Sequence, residues 1–205
     1  LLVGANRDET KLFRMGMASS TELDEAGLAK RVRSSLRALG ADEAHAERLI
    51  QTYRSARSGR ASTEPGELLD ALDSDRTFRV PAIRLAEAQA TQQPRTYQYF
   101  FTWSSPARRG TLGACHALEL PFVFGTLDAP TMDRFAGKGP DAEALSARMM
   151  DAWISFARSL EPGHAELPAW PGYDTAKRAT LVFDRACELA HAPLDAERAA
   201  WDGVI

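Results

Sequence analysis

His116 stands in the run Gly113-Ala114-Cys115-His116-Ala117-Leu118-Glu119-Leu120-Pro121-Phe122-Val123-Phe124-Gly125, a glycine-opened loop leading into an apolar stretch. An imidazole displayed in this way has the chemistry of a general base. At the other end, Leu1-Leu2-Val3-Gly4-Ala5-Asn6-Arg7-Asp8-Glu9 reads as the close of a buried strand running into carboxylates. A serine hydrolase needs a base to take the hydroxyl proton and a carboxylate to hold that base's tautomer and support the imidazolium. Glu9 and His116 are thus the candidate catalytic pair, two members of a three-residue relay. About a hundred residues separate them, which is no obstacle, because such relays are defined in space.

The third member is absent. No serine of the chain lies in a Gly-x-Ser-x-Gly elbow, and no glycine-rich run could build an oxyanion hole. Ser104 and Ser105 read as turn residues. Cys115 adjoins the histidine, but neighbours on a chain rarely face each other, and a small buried cysteine is the simpler reading. Asp8 is a rival to Glu9 for the acid. His45, His164 and His191 fall on a helix face or in polar loops and read as structural. Trp103, Phe13 and Phe122 could line a substrate pocket, although core packing is the expectation for all three.

The elements that must hold these residues follow from periodicity. A strand is expected to end at Gly4 and Asn6. Leu28, Val32, Leu36 and Leu39 form one apolar stripe ending at Gly40, and Asp42 caps a second helix bearing Ala46, Leu49, Ile50 and Tyr53. A polar loop covers Ser55 to Ser62, after which Thr63-Glu64-Pro65 starts a helix with Thr63 as cap. Another helix is expected from Phe78 to Gln92, with Pro81 near its start. Tyr97 to Trp103 is the clearest strand. Asp141 is expected to cap an amphipathic helix with Leu145, Met149, Trp153 and Phe156 on one face. Thr180 to Phe183 forms a last strand and Leu194 to Trp201 a terminal helix. The result is an α/β pattern with about three strands and long helical excursions, fewer strands than an average sheet carries.

Bulk properties narrow the function. A net charge of -3 gives no electrostatic reason for a nucleic-acid partner, and the short basic run Lys30-Arg31-Val32-Arg33 and the pair Arg108-Arg109 read as solvated faces. No window is apolar enough to span a membrane, and no basic region followed by an apolar stretch opens the chain, so a cytoplasmic location is expected. Cys115 and Cys187 cannot make a disulfide framework; a single bridge between them stays open, and two buried thiols are the expected state.

Taken together, Gly4-Ala5-Asn6-Arg7-Asp8-Glu9 and the His116–Gly125 run resemble the acid and histidine segments of type-B carboxylesterases, the family of bacterial para-nitrobenzyl esterases and cholinesterases. Asp75-Arg76-Thr77-Phe78-Arg79-Val80-Pro81-Ala82, Trp153-Ile154-Ser155-Phe156-Ala157-Arg158 and Trp170-Pro171-Gly172-Tyr173 extend the similarity over nearly the whole chain. The resemblance implies that residues 1–205 are the C-terminal segment of a single α/β-hydrolase domain, with acid and base in the order that fold uses. It implies a small-molecule ester substrate, no metal or organic cofactor, and as partner the N-terminal half of the same protein, with the serine elbow. It also favours Glu9 over Asp8 as acid and makes Glu119 a buried carboxylate behind the site. Ala117 stands where the family commonly has glycine, which should only tighten the loop, and Thr10 replaces a glycine after the acid. Two other readings are a non-catalytic binding or adhesion relative of the same fold, and an independent helical module over residues 24–56.

Overall fold

Strand β1 (Leu2–Asn6) runs parallel to a strand that follows it by more than ninety residues, and this pairing builds the site. The computed structural model describes residues 1–14 and 23–205. After β1 come a single turn α1 (Lys11–Arg14) and the helices α2 (Glu25–Arg37), α3 (Glu43–Arg57), α4 (Pro65–Ser74) and α5 (Val80–Ala90). Strand β2 (Tyr97–Phe101) leads through a 3₁₀ turn to the short helices α6 (Leu120–Val123) and α7 (Met132–Phe135), then the long α8 (Pro140–Ser159). Strands β3 (Ala179–Phe183) and β4 (Glu188–His191) and helix α9 (Asp195–Ala199) close the chain. The sheet order is β1-β2-β3-β4, with parallel pairing up to β3 and an antiparallel β3–β4 hairpin.

β1 is longer than its breakers suggested, because Gly4 lies inside it. A Cβ there would meet the Tyr99 carbonyl oxygen at 2.4 Å, so only glycine lets β1 and β2 approach this closely. β4 was not expected at all.

Alternation along β2 divides its side chains between two faces. Tyr97 and Tyr99 meet Phe156 and Trp153 of α8, in the core that also holds Phe101, Leu118, Phe122, Leu145 and Met149. Phe100 points the other way, toward Arg79 and α5. A second core joins Leu28, Val32, Leu36, Leu49, Tyr53 and Leu68 to Val80 and Trp201. The helices of residues 24–56 therefore share their core with elements far along the chain and are not an independent module.

Several helix boundaries differ from expectation for local reasons. Leu39 lies beyond the end of α2 and is exposed. Glu64, not Thr63, precedes α4, and Gly139 at a φ of 103° precedes α8, leaving Asp141 in its first turn. The expected Phe78–Gln92 helix is really the last part of a continuous rod from Pro65, interrupted by a π-helical turn at Asp75–Arg79. That turn immediately precedes Pro81, whose ring would collide with the carbonyl four residues back in a regular helix. Within it the Arg79 guanidinium grips Asp75 by two bonds of 2.6 Å, both side chains buried. Tyr53 donates to Asp75 and accepts from the Trp201 indole at 2.7 Å, fastening the rod to α3 and the C-terminal turn.

Candidate active site

The acid side is built where β1 ends. Glu9 is 5% exposed, and its Oε1 accepts a 2.8 Å hydrogen bond from the Asn6 backbone N–H, so the loop folds back on the carboxylate it carries. The next residues clip the loop to α4: Thr10 donates its backbone N–H to Ser74 Oγ at 3.1 Å, and Lys11 pairs with Glu67 at 2.8 Å. Burial pushes the Glu9 carboxyl above its ordinary range, with the Asn6 N–H and His116 pulling it back.

The base side is built where β2 ends. Asp8 accepts from the Ala114 N–H at 2.8 Å and donates its own N–H to the Ala114 carbonyl at 2.9 Å, tying the two loops together. The His116 backbone N–H reaches the Glu9 carbonyl at 3.3 Å. His116 Nδ1 then lies 2.7 Å from Glu9 Oε2. A carboxylate partner requires a proton on Nδ1, which leaves Nε2 as the basic nitrogen, and the side chain is 41% exposed. Buried Glu9 thus fixes the tautomer of a half-exposed imidazole and leaves its Nε2 without a protein partner among the described residues.

Two phenyl rings bracket that imidazole. Phe13 and Phe78 each lie 5.1 Å from the His116 ring centroid, tilted by 42° and 41°, and stack on each other at 6.4 Å. Phe13 is 47% exposed, so the core assignment fails for it: α1 holds the ring at the surface beside the imidazole. Phe122 is a core residue, and Trp103 packs on it while donating its indole N–H to the Ala136 carbonyl.

The remaining candidates sort by contact. Asp8 is occupied by Ala114, Arg7 and Lys11 rather than by the imidazole; burial raises its carboxyl, but the two cations and the Ala114 N–H outweigh that and hold it low. Glu119 is only partly buried and accepts from the Asn6 amide. Cys115 is fully buried, burial pushes its thiol up to about 11, and both cysteines are free. Ser105 lies in an irregular stretch rather than a turn, is buried, and donates to the Phe135 carbonyl. His45 belongs to the α3 cap, His164 contacts the Arg148 carbonyl, and His191 sits on β4 rather than in a loop. Ala117 adopts a φ of 63°, so its methyl strains the loop instead of merely tightening it. Asn6 and Phe78 were missed: one looked like a strand breaker, the other like a helix start. Among the described residues, no group of three or more His, Cys, Asp or Glu side chains is placed to hold a metal ion, and no helix is long and apolar enough to cross a membrane.

Known proteins share this arrangement of elements. The Geobacillus stearothermophilus carboxylesterase crystallised at pH 6.2 superposes with a TM-score of 0.80 at 37% identity, over 98% of this chain and 40% of that one. A thermophilic para-nitrobenzyl esterase structure superposes at 0.72 with 28% identity, over 98% of this chain and 38% of that one. These likenesses make the sheet and its helices part of an α/β-hydrolase fold. Phenmedipham hydrolase of Pseudarthrobacter oxydans is 37% identical over 132 residues, 62% of this chain and 26% of that protein. Para-nitrobenzyl esterase of Bacillus subtilis (strain 168) is 35% identical over 125 residues, 61% of this chain and 25% of that protein. The matched region thus amounts to about a quarter of these curated relatives. A sequence model of the Carboxylesterase family matches residues 1–201, and the chain belongs to that family.

Proposed function

We propose that this chain supplies the acid and the base of a Ser-Glu-His relay that hydrolyses small-molecule carboxylic esters, the serine and oxyanion donors coming from an N-terminal part of the same α/β-hydrolase domain. The observation that carries this reading is the 2.7 Å contact between buried Glu9 and half-exposed His116, which leaves Nε2 accessible. Nε2 takes the serine proton as the hydroxyl oxygen attacks the ester carbonyl. The resulting imidazolium is stabilised by Glu9 across the Nδ1–H bond and returns the proton to the leaving alkoxide. A water molecule then repeats the sequence on the acyl-enzyme. Of the two carboxylates at the loop, Asp8 is engaged elsewhere, which supports Glu9 as the acid.

Because no serine of this chain stands in an elbow, residues 1–205 alone are expected to be inactive. The test is labelling of the longer protein with a serine-directed fluorophosphonate, together with p-nitrophenyl ester turnover. Labelling and turnover in the parent, with turnover abolished by His116→Ala, support the proposal. An unlabelled parent points to a non-catalytic binding relative, and His116-dependent turnover by residues 1–205 alone overturns the division of labour.

A further inference from the structure

Asn6, the last residue of β1, is 2% exposed and makes three hydrogen bonds to three different parts of the site. Its backbone N–H goes to Glu9 Oε1 at 2.8 Å. Its side-chain amide gives one N–H to the Cys115 carbonyl at 2.8 Å and the other to Glu119 Oε2. Both of those partners are acceptors, so the amide nitrogen, not its oxygen, must face them. The peptide unit between Cys115 and His116 is therefore held at both ends by the acid loop: its carbonyl by Asn6, its N–H by the Glu9 carbonyl at 3.3 Å. That peptide is the root from which the imidazole projects.

The same residue stands between two like charges. Glu9 and Glu119 repel each other, and each receives one N–H from Asn6. The other titratable groups around them are Asp8, Cys115 and Tyr99. None of these donates to either carboxylate, so among the described residues the side-chain and backbone donors to the pair are Asn6 and His116.

We propose that Asn6 is a positioning residue that locks the backbone under His116 to the acid loop and stands between the Glu9 and Glu119 carboxylates, donating one N–H to each. The proposal rests on the Glu9–His116 relay described above and names the group that holds it in register.

The test is a ¹H–¹³C NMR titration of the histidine rings in residues 1–205, with His45, His164 and His191 as internal references, alongside the downfield Nδ1 proton of His116. Asn6→Ala removes both side-chain bonds while leaving the backbone N–H to Glu9. Through release of the Cys115–His116 peptide it is expected to lower the His116 midpoint by about 0.5 pH unit or more and to weaken or abolish the downfield proton, with the three reference histidines unmoved. Asn6→Ser, which keeps one short donor, should give a smaller shift in the same direction and carries the test if the alanine variant does not fold. Glu9→Gln calibrates the full loss of the pair. If Glu9→Gln leaves the His116 midpoint unchanged, the relay itself is wrong. If Glu9→Gln shifts the midpoint while both Asn6 variants leave midpoint and downfield proton as in the unsubstituted chain, the Asn6 proposal is overturned. Equal displacement of all four histidines in the Asn6 variants, a general structural effect, overturns it too.

Discussion

Asp8 and Ala114 hold each other by two hydrogen bonds, 2.9 Å from the Asp8 N–H to the Ala114 carbonyl and 2.8 Å from the Ala114 N–H to the Asp8 carboxylate. One partner lies immediately before the acid and the other two residues before the base. The clasp therefore sets the separation of the two loops before either functional side chain is placed. It depends on Gly113, whose φ is 55° and where a Cβ would lie 2.2 Å from Asp8 Oδ2. Gly113→Ala is expected to cost about 2–4 kcal/mol of stability, from the left-handed backbone and the collision together. Urea unfolding measures this, and a loss below about 0.5 kcal/mol would show that the clasp is dispensable.

Ala117 presents the opposite case, a side chain where the backbone favours none. With φ at 63°, Ala117→Gly is expected to stabilise the chain by about 0.5–1 kcal/mol, the relieved left-handed strain exceeding the added freedom of the unfolded glycine. Thermal unfolding should show a rise of about 1–4 °C for a chain of this size. An unchanged or lower midpoint would mean that the loop accommodates the methyl without strain.

Of the two rings around His116, Phe13 is the more exposed and Phe78 is partly buried. Phe13→Ala removes a half-exposed ring and should leave stability within about 1 kcal/mol. Under the function proposed above, the same change in the longer protein should lower ester turnover through kcat by up to about tenfold, the scale of one lost aromatic contact to the imidazole. An unchanged kcat with a raised KM would instead make Phe13 a wall for substrate only.

Asp70 gives the acid loop's anchor a pH dependence. Burial pushes its carboxyl up to about 6, against the pull of Arg14, which it meets at 2.8 Å. A carboxyl raised in the folded state contributes stability that is fully present below its unfolded value of 3.8 and is lost as pH rises through about 6. The stability difference between the native chain and Asp70→Asn should therefore change across pH 3.8 to 6, by no more than about 3 kcal/mol for a displacement of about two units. The native chain should gain relative to the variant as pH falls; a flat difference across that window refutes the assignment.

Elements that bury a stripe of their own were legible in the chain. Leu28, Val32 and Leu36 announced α2, and the aromatic run at Tyr97 announced β2. What escaped depends on partners distant in sequence. Gly4 reads as a breaker until Tyr99 is placed against it. β4 has only four residues with exposed ends and exists because β3 pairs with it. Phe13 looks like core by type, yet the turn of α1 leaves it at the surface beside His116. At the site, Glu9 and His116 were visible as residue types following strand-like runs, and the fold brings them into contact. Asn6 was not, because a polar residue ending a strand declares nothing until the second loop arrives with its carbonyl and carboxylate.

The parallel match of Leu2 with Tyr97 through Asn6 with Phe101 has a consequence for the order of events in folding. Closing a chain segment of that length costs about 4 kcal/mol in entropy before any contact repays it, whereas the helices between the two strands form from local contacts. The ladder, and with it the meeting of Glu9 and His116, is therefore expected in the late phase of folding. The proton shared by those two side chains is consequently a kinetic reporter: in a refolding experiment its resonance should emerge after helical signal has recovered, marking the moment the sheet locks.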